Sequence, residues 1–161
     1  MGDRDHVPEA AEAEGAERVF WRVRQKPGKP LYFGVRDDGD GPPTPVLGLP
    51  GNPGSVHACL VTHVRRALDV LEGAAEPGPR LAPGRLAEAW TLDPHREWWL
   101  RCELGFADDG TARLRPLPNQ SSHMVTNLGR CSALARLPRG DGELEAGSRV
   151  EWVPAAGAGP W

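Results

Sequence analysis

A stiff Gly/Pro turn between a short apolar segment and an amphipathic helix limits the folds open to this chain more than any other segment. Residues 45–49 are apolar and predict a strand buried on both faces. The turn Pro-Gly-Asn-Pro-Gly-Ser follows at once in residues 50–55. Helical periodicity then predicts one buried apolar stripe, with Ser55 as N-cap and Gly73 just past the end. The stripe consists of Val56, Leu60, Val64, Ala67, Leu68 and Leu71.

The 50–55 turn has properties of an anion-binding loop. A turn that opens directly into a helix directs backbone N–H groups outward, and the helix dipole adds positive potential at the same place. Gly51 and Gly54 permit close approach of a ligand, while Pro50 and Pro53 limit the entropy lost on binding. The turn lacks the Gly-Lys-Ser/Thr ending of a Walker loop. The alternative is a purely structural strand-to-helix turn.

A second Gly/Pro loop, Lys-Pro-Gly-Lys-Pro in residues 26–30, carries two cations. Lys26 and Lys29 are three positions apart and braced by prolines, so both ammonium groups could face one polyanion. The alternative is a solvated turn with two ordinary lysines. Because one α/β unit contains two rigid loops with features of anion sites, anion binding and a purely structural role are about equally favoured for them.

Composition excludes several other classes. The chain of 161 residues has 20 Gly and 17 Pro and a formal net charge of −3, which argues against a general nucleic-acid or anionic-membrane binder. The acidic start of the chain is unlike a signal peptide, and no apolar run approaches the ~20 residues of a membrane span. We therefore expect a soluble, cytoplasmic protein. Cys59, Cys102 and Cys131 are expected to be free thiols in apolar surroundings.

Hydrophobic periodicity and a Pro/Gly-rich segment divide the chain into two parts. Residues 1–75 have α/β character, with a helix near residues 5–16 and strands near 18–25 and 31–35. Residues 76–84 are rich in Pro and Gly and predict a linker. Residues 85–154 contain short strands, an Asp-Asp-Gly hairpin signal at 108–110 and a helical turn within 120–128, and therefore predict a small all-β barrel or sandwich. Residues 155–161 form a tail. The fold class is α+β.

Further polar residues are candidates for a site. Asp3 and Asp5 could hold Mg²⁺ beside a bound anion, or one of them could cap the first helix. Ser121, Ser122 and His123 lie in a polar turn of the β half and could reach a ligand across the domain interface, or could simply cap a turn. His57 and His63 are expected to be ordinary histidines. No Ser-His-Asp or Cys-His arrangement is readable.

These motifs, in this order, resemble the C-terminal part of the molybdopterin molybdenumtransferases, the family of bacterial MoeA and the gephyrin E domain. The two Pro/Gly motifs in tandem at this separation are highly specific, and the resemblance covers nearly the whole chain. The segments that carry it are Phe20-Trp21, Lys26-Pro-Gly-Lys-Pro30, Phe33-Gly34, Gly48-Leu-Pro-Gly-Asn-Pro53 with Ser55, Gln120-Ser-Ser-His123, Leu128-Gly-Arg-Cys131 and Glu145-Ala-Gly-Ser-Arg-Val-Glu151.

The resemblance implies a fold and a reaction. It implies that residues 1–75 are the later half of a MogA-like, three-layer α/β domain and that residues 85–154 are the family's small C-terminal β-barrel domain. Members of the family bind adenylated molybdopterin and molybdate, insert the metal into the dithiolene and release AMP with the help of Mg²⁺. It further implies a homodimer, and a MogA-type adenylyltransferase and acceptor molybdoenzymes as partners.

The resemblance also implies roles for single residues. Asp5 takes the place of an aspartate linked to Mg²⁺ or molybdate, with Asp3 beside it, and Lys26 and Lys29 contact phosphate or molybdate. Ser122 reaches in from the β-barrel domain. The residues that line the anion loop and open the following helix are Pro50, Gly51, Asn52, Pro53 and Ser55.

The sequence departs from the family pattern at three places. Met1-Gly-Asp-Arg-Asp5 resembles the last positions of the motif Gly-Gly-Val-Ser-x-Gly-x-x-Asp, so the parts that precede this motif are expected to be lacking. Position 54 is Gly where the family has a larger apolar residue, and Ser121 replaces a Gly. A shortened family member could also be a non-catalytic binding or scaffold fragment, which is the alternative function.

Overall fold

The first part of the chain forms a small antiparallel sheet with one short helix beside it. A computed structural model describes residues 6–39 and 41–155. Helix α1 (Val7–Ala13) has a proline in its first turn, and Gly15 at φ +86° lets the chain turn into the sheet. Strands β1 (Ala16–Trp21), β3 (Tyr32–Arg36) and β4 (Thr44–Gly48) pair in the order β1-β3-β4. The two-residue strand β2 (Gln25–Lys26) leaves this sheet and joins the barrel described below.

Strand β4 is half-exposed, so the prediction of a strand buried on both faces is wrong. Pro45, Val46 and Leu47 are all only partly buried. The reason is topological: within the described residues β4 pairs with β3 alone and lies at the edge of the three-stranded sheet. Periodicity cannot distinguish a central strand from an edge strand of equally apolar sequence.

One long helical stretch follows the Gly/Pro turn. It consists of α2 (Pro53–Cys59), a π-helical segment (Leu60–Val64) and α3 (Arg65–Leu71). The helix begins earlier than predicted, because Pro53 occupies the first helical position, where its missing N–H is not needed. Asn52 is therefore the N-cap residue, and Ser55 lies buried inside the first turn. The predicted end is confirmed, since Gly73 adopts φ +74° just past the last turn.

The apolar stripe of this helix is not its buried face, contrary to the prediction. Leu60, Leu68 and Leu71 have 41%, 47% and 63% of their surfaces exposed. The buried face carries smaller residues, and Ala58 and Val61 on it pack in one cluster with Trp99, Leu134 and Val153 of the barrel. Small side chains allow the helix to approach the barrel closely, which the hydrophobic periodicity of the helix alone does not reveal.

The second part is a closed five-stranded barrel. The strands of this part are β5 (Ala82–Leu86), β6 (Trp90–Thr91), β7 (Glu97–Phe106), β8 (Ala112–Pro116), β9 (Ala133–Leu137), β10 (Glu143–Leu144) and β11 (Arg149–Pro154). The barrel strands follow the order β7-β8-β5-β11-β9, and β9 pairs with β7 to close the ring. Strand β2 adds to β7 in parallel, and β6 and β10 form a separate two-stranded ribbon. The α+β class is confirmed.

The alternation of β7 decides which residues face which core. Trp98 packs inside the barrel with Leu100 and Cys102, whereas Trp99 packs outside the barrel against the long helix. Both tryptophans are buried, as predicted for core residues. Trp90 meets Trp98 edge to face, with ring centroids 5.6 Å apart. Strand β7 therefore separates the barrel interior from the helix-facing core.

Several boundaries of the β half differ from the predicted ones. Strand β5 begins at Ala82, inside the predicted linker, because β11 supplies backbone pairing as far as Ala82. Residues 85–92 are divided between the end of β5 and the short strand β6. The predicted helical turn within 120–128 is a series of turns followed by a 3₁₀ helix at Leu128–Arg130. The hairpin turn at 108–110 is confirmed, with Gly110 at φ +81°.

Two further predictions concern cysteines and membranes. The three cysteines are free, with Cys59 and Cys102 buried and Cys131 half-buried. Burial raises the pKa of the Cys59 thiol to about 12, so this thiol is protonated and unreactive at neutral pH. Among the described residues, no helix combines the length and apolar character needed to cross a bilayer.

Gly84→Ala should destabilise the barrel by about 1–3 kcal/mol. A Cβ at position 84 would lie 2.6 Å from Cδ2 of Leu114 and 2.9 Å from Cδ1 of Trp152, both in the closed interior. The measurement is the free energy of unfolding in urea. Gly105→Ala is the matched control, since a Cβ on that strand glycine would meet nothing within 4 Å. Equal effects of the two substitutions would contradict the described barrel packing.

Candidate anion site between the two halves

The start of the long helix contacts a loop of the barrel. The side-chain amide of Asn52 donates a hydrogen bond to the hydroxyl oxygen of Ser122 (3.0 Å). The backbone N–H of Gly54 donates to the carbonyl oxygen of Ser122 (2.8 Å). The structure thus brings together two predicted site residues that are 70 positions apart in the chain. Ser122 reaches the predicted loop across the boundary between the two halves.

The helix-start amides are not available to an anion, which corrects the physical argument made from the turn. Pro53 has no N–H, and the N–H of Gly54 is used by Ser122. The N–H groups of Ser55 and Val56 both donate to the carbonyl oxygen of Asn52 (2.9 Å each). Any oxyanion bound here would therefore contact the exposed part of the loop, Gly51 and Asn52, together with the hydroxyl of Ser122.

Beneath this junction lies a buried arginine that the sequence analysis missed. Arg101 on β7 is 0% exposed. Its guanidinium donates to the carbonyl oxygens of Asn119 (3.3 Å), Ser121 (3.0 Å) and Met124 (3.3 Å). Its Nε and backbone N–H both lie within hydrogen-bond distance of Oε1 of Gln120. A single side chain therefore fixes the whole loop that presents Ser122.

Arg101 also contributes charge. Among the described residues it forms no ion pair with a carboxylate, so its positive charge is balanced only by carbonyl and amide oxygens. A Cβ on Gly54 would lie 2.6 Å from its Nη1 atom, so the absence of a side chain at position 54 allows helix and guanidinium to touch. Burial lowers the pKa of Arg101, but an arginine stays protonated. The positive potential at the helix start thus includes a fixed guanidinium.

His57 lies one helical turn beyond Gly54 in the long helix. It is half-buried, and its Nδ1 atom has no hydrogen-bond partner among the described residues. Burial lowers the pKa of His57, and the charge of Arg101 lowers it further. The ring is therefore neutral at neutral pH.

The Lys-Pro-Gly-Lys-Pro loop of residues 26–30, called the lysine loop below, packs against the middle of the same helix rather than its start. The amide of Gln25 donates to Sγ of Cys59 (3.8 Å) and accepts a hydrogen bond from Nε2 of His63 (2.8 Å). Gly28 fits here only because it lacks a Cβ, which would lie 2.8 Å from Sγ of Cys59. Cys59 is seven residues beyond Asn52, so the anchor of the lysine loop lies about 10 Å along the helix from the anion loop.

The two lysines of this loop differ in their surroundings. Lys29 is half-buried, and its carbonyl oxygen accepts a hydrogen bond from the N–H of Val23 (2.9 Å). The ammonium of Lys26 lies over the ring of Trp98, 4.1 Å from its centroid. Because Trp98 faces the barrel interior and Trp99 faces the helix, Lys26 lies on the side of β7 away from the helix. The contacts of Lys26 therefore do not include the anion loop.

Metal-binding residues are a separate question. Asp3 and Asp5, the predicted Mg²⁺ ligands, lie outside the described residues. Within residues 6–39 and 41–155, no group of three or more His, Cys, Asp or Glu side chains is arranged to hold a metal ion.

Comparison with known families matches both parts of the chain. The family model described as MoeA C-terminal region (domain IV) matches residues 83–155. The model described as probable molybdopterin binding domain matches residues 1–70. These matches define the class: a molybdopterin-binding-type domain followed by a MoeA C-terminal region.

Curated relatives carry one name. The chain is 26%, 30% and 31% identical to proteins named molybdopterin molybdenumtransferase from Synechocystis, Nostoc and Synechococcus elongatus, over 91%, 93% and 94% of its own length. It spans about a third of those relatives, 34% to 35% of their length. The chain belongs to the molybdopterin molybdenumtransferase family.

Solved structures agree at the level of the fold. A molybdopterin biosynthesis MoeA protein from Pyrococcus horikoshii superposes with a TM-score of 0.69 at 21% identity, over 95% of this chain and 35% of that one. A molybdenum cofactor biosynthesis protein from Pyrococcus furiosus superposes with a TM-score of 0.65 at 20% identity, over 96% of this chain and 56% of that one.

Gly54→Ala should destabilise the protein by about 1–3 kcal/mol, because the added Cβ would lie 2.6 Å from Nη1 of Arg101 and 2.9 Å from the carbonyl oxygen of Ser122. Gly51→Ala, where a Cβ would meet nothing within 4 Å, should change the stability by less than about 0.5 kcal/mol. Urea unfolding at neutral pH measures both. The contact between helix and loop would be refuted if Gly54→Ala were as stable as Gly51→Ala.

Acid should destabilise the protein in the range of histidine titration. In the folded protein the pKa of His57 is lower than its ordinary value of 6.5, so the unfolded chain binds more protons as the pH falls below that value. The free energy of unfolding should fall between pH 7 and pH 5, and His57→Gln should reduce that slope. His63 acts with the same sign, because burial also lowers its pKa, so a smaller slope remains.

Urea titrations at half-unit pH intervals from 5.0 to 7.5 measure the slope for the wild type and the variant. A variant slope equal to that of the wild type would contradict the burial of a neutral His57.

Proposed function

We propose that the chain acts in molybdenum cofactor biosynthesis, as part of a molybdopterin molybdenumtransferase that inserts molybdate into adenylated molybdopterin and releases AMP. Membership of the family supports this assignment. The main evidence for the location of the site is the hydrogen bond between Asn52 and Ser122, which joins the loop of one half to the barrel of the other. A junction of two halves is a common place for a small-molecule site.

In this proposal the junction binds an oxyanion of the substrates. The exposed amide of Asn52 and the hydroxyl of Ser122 supply neutral hydrogen-bond donors. Lys29 is proposed to extend its ammonium from the lysine loop toward this junction, and the buried guanidinium of Arg101 adds positive potential beneath it. Pro50, Gly51 and Pro53 keep the loop rigid and narrow, and Ser55 fixes the first helical turn. The reaction needs positioning and charge neutralisation rather than a nucleophile.

Two further assignments are part of the proposal. Lys26, expected to contact phosphate or molybdate, would have to do so from its place beside Trp98, on the barrel side of β7. Asp3 and Asp5 remain the predicted ligands of Mg²⁺, which would neutralise phosphate charge when bound. A homodimer, a MogA-type adenylyltransferase and acceptor molybdoenzymes are the proposed partners.

A non-catalytic binding fragment of the same family is the second candidate. The exposed stripe of the long helix, with Leu60, Leu68 and Leu71, favours it, because a contiguous apolar surface is typical of a contact with another protein. The two candidates make opposite statements about turnover, so one assay separates them.

The assay is release of AMP from adenylated molybdopterin by the purified chain in the presence of molybdate and Mg²⁺. Asn52→Ala and Ser122→Ala should each reduce the rate or the apparent affinity for molybdate roughly 10- to 100-fold, the effect of losing a hydrogen bond to a charged group. Ser121→Ala is the matched control, since the neighbouring Ser121 has an exposed side chain and should retain wild-type turnover.

A full-length family member run in parallel validates the substrates. If that relative releases AMP and the chain does not exceed a blank without protein, the catalytic proposal fails and the binding fragment is favoured. If the chain is active but Ser121→Ala and Ser122→Ala are equally impaired, the residue assignment fails while the activity stands.

A further inference from the structure

The lysine loop carries every lysine of the chain. Lys26 and Lys29 are the only lysines in the sequence, and the other strongly basic side chains are arginines. Both lysines are half-buried, so the backbone of the loop limits where their side chains reach. The contacts that hold this loop therefore decide where an ammonium side chain of this protein meets an anion.

Backbone hydrogen bonds fix the two ends of the loop. The N–H of Val23 donates to the carbonyl oxygen of Lys29 (2.9 Å) and closes the base of the loop. On the barrel side, the N–H of Glu97 donates to the carbonyl oxygen of Arg24 (2.9 Å), next to the parallel pairing of β2 with β7. These bonds do not join the tip of the loop, residues 27–28, to the long helix.

The side chain of Gln25 makes the connection to the helix. Gln25 is buried, and its amide nitrogen donates to Sγ of Cys59 (3.8 Å), while its amide oxygen accepts from Nε2 of His63 (2.8 Å). Burial lowers the pKa of His63, so the ring is neutral and carries its proton on Nε2. Sγ of Cys59 lies 4.0 Å from the carbonyl oxygen of Gly28, toward which its S–H group donates. The three side chains form one directed chain of hydrogen bonds from the helix to the loop tip.

The helix and the loop tip are closely packed at this place. Cys59 and His63 are four positions apart, and the segment Leu60–Val64 that follows Cys59 is π-helical, a local form that is frequent at functional positions. A Cβ on Gly28 would lie 2.5 Å from the amide nitrogen of Gln25 and 2.8 Å from Sγ of Cys59. No side chain fits between the loop tip and the helix.

The polar character of this contact restricts the geometry of the loop more than it stabilises the fold. A hydrogen bond contributes little net stability, whereas a buried donor or acceptor that loses its partner is costly. A displacement of the loop would break both bonds of Gln25 at once and would leave its amide and the His63 ring unpaired. The loop is therefore held in one place along the helix.

We propose that Gln25 is a positioning residue, which locks the lysine loop against the long helix and so fixes the place from which Lys26 and Lys29 act on an anion. The amide of Gln25 does not itself contact the anion, and its effect passes through the loop. The inference rests on the proposed function only where it states that the two ammonium groups meet the substrates of that reaction.

Two chemical probes report whether the loop is locked. In the full chain, N-hydroxysuccinimidyl acetate acylates Lys26 and Lys29, and iodoacetamide alkylates thiols; mass spectrometry of peptides gives the rate at each residue. Gln25→Met has a similar length and removes both hydrogen bonds. It should raise the rates at both lysines and at Cys59 roughly 5- to 100-fold, the effect of losing one or two hydrogen bonds. The rate at Cys102, which lies inside the barrel, should not change.

A double substitution tests whether Gln25 and His63 act as a pair. His63→Phe alone removes the donor to the amide oxygen of Gln25, and should also raise the rates at the lysines and at Cys59. In Gln25→Met/His63→Phe both partners are apolar, so no buried polar group of this pair is left unpaired. The rates of the double variant should fall below those of either single variant, which a general loss of stability would not produce.

Two further variants serve as controls. Arg24→Met changes the exposed side chain that precedes Gln25, and should leave all rates at the wild-type values. Gly84→Ala weakens the barrel away from the loop, and should raise the rates at Cys59 and Cys102 together.

The kinetic readout is the release of AMP described above. Gln25→Met should lower kcat/KM roughly tenfold or more, because the ammonium groups no longer have a fixed place. Gln25→Met/His63→Phe should recover part of that loss.

Each outcome bears on one of the two statements. Raised rates at both lysines and at Cys59, an unchanged rate at Cys102 and recovery in the double variant support the inference. Equal rates in the wild type and Gln25→Met overturn it, and so does a parallel rise at Cys102. Should Gln25→Met not fold, as judged by circular dichroism, the rates of His63→Phe decide.

The proposed function fails separately. If the wild type releases no AMP, the proposed reaction is refuted, while the labelling rates still decide whether Gln25 locks the loop. If the wild type is active and Gln25→Met keeps its kcat and KM although labelling has risen, the positioning role is refuted and the activity stands.

Discussion

The buried guanidinium of Arg101 is the interaction on which the junction of the two halves depends. A charge removed from water is tolerated only when hydrogen bonds replace its hydration, and here the oxygens of the 119–124 loop supply them. The same bonds hold Ser122 against Gly54 and Asn52. The start of the long helix, strand β7 and the 119–124 loop are therefore fixed together. The geometry of the candidate anion site follows from the hydrogen bonds that Arg101 makes.

Strand β7 organises the rest of the molecule through its two faces. Trp99 on one face packs against the long helix, and Trp98 on the other face closes the barrel and meets Lys26. Arg101 lies on the helix-facing side of the strand, under the junction, whereas Lys26 lies over Trp98 on the other side. These two cations are therefore separated by the strand itself.

Much of the fold could be predicted because local signals agreed with one another. The hairpin at 108–110, the helix end at Gly73, the two buried tryptophans and the β barrel of the second part all follow from short-range patterns. The two errors about burial have one cause. The helix stripe and strand 45–49 are apolar enough for a core, but burial depends on which neighbour covers them, and the described neighbours lie elsewhere.

The family and the positions of the two loops could be inferred from the sequence, because two rigid Pro/Gly motifs in tandem are specific and have few backbone conformations. Which donors those loops present depends on contacts between distant segments. The helix-start amides are consumed by Ser122 and Asn52, Ser55 is buried rather than capping, and Lys26 joins the barrel instead of the anion loop. Backbone hydrogen bonds and strand pairing between distant segments determine these positions, so they cannot be read from the pattern of any one segment.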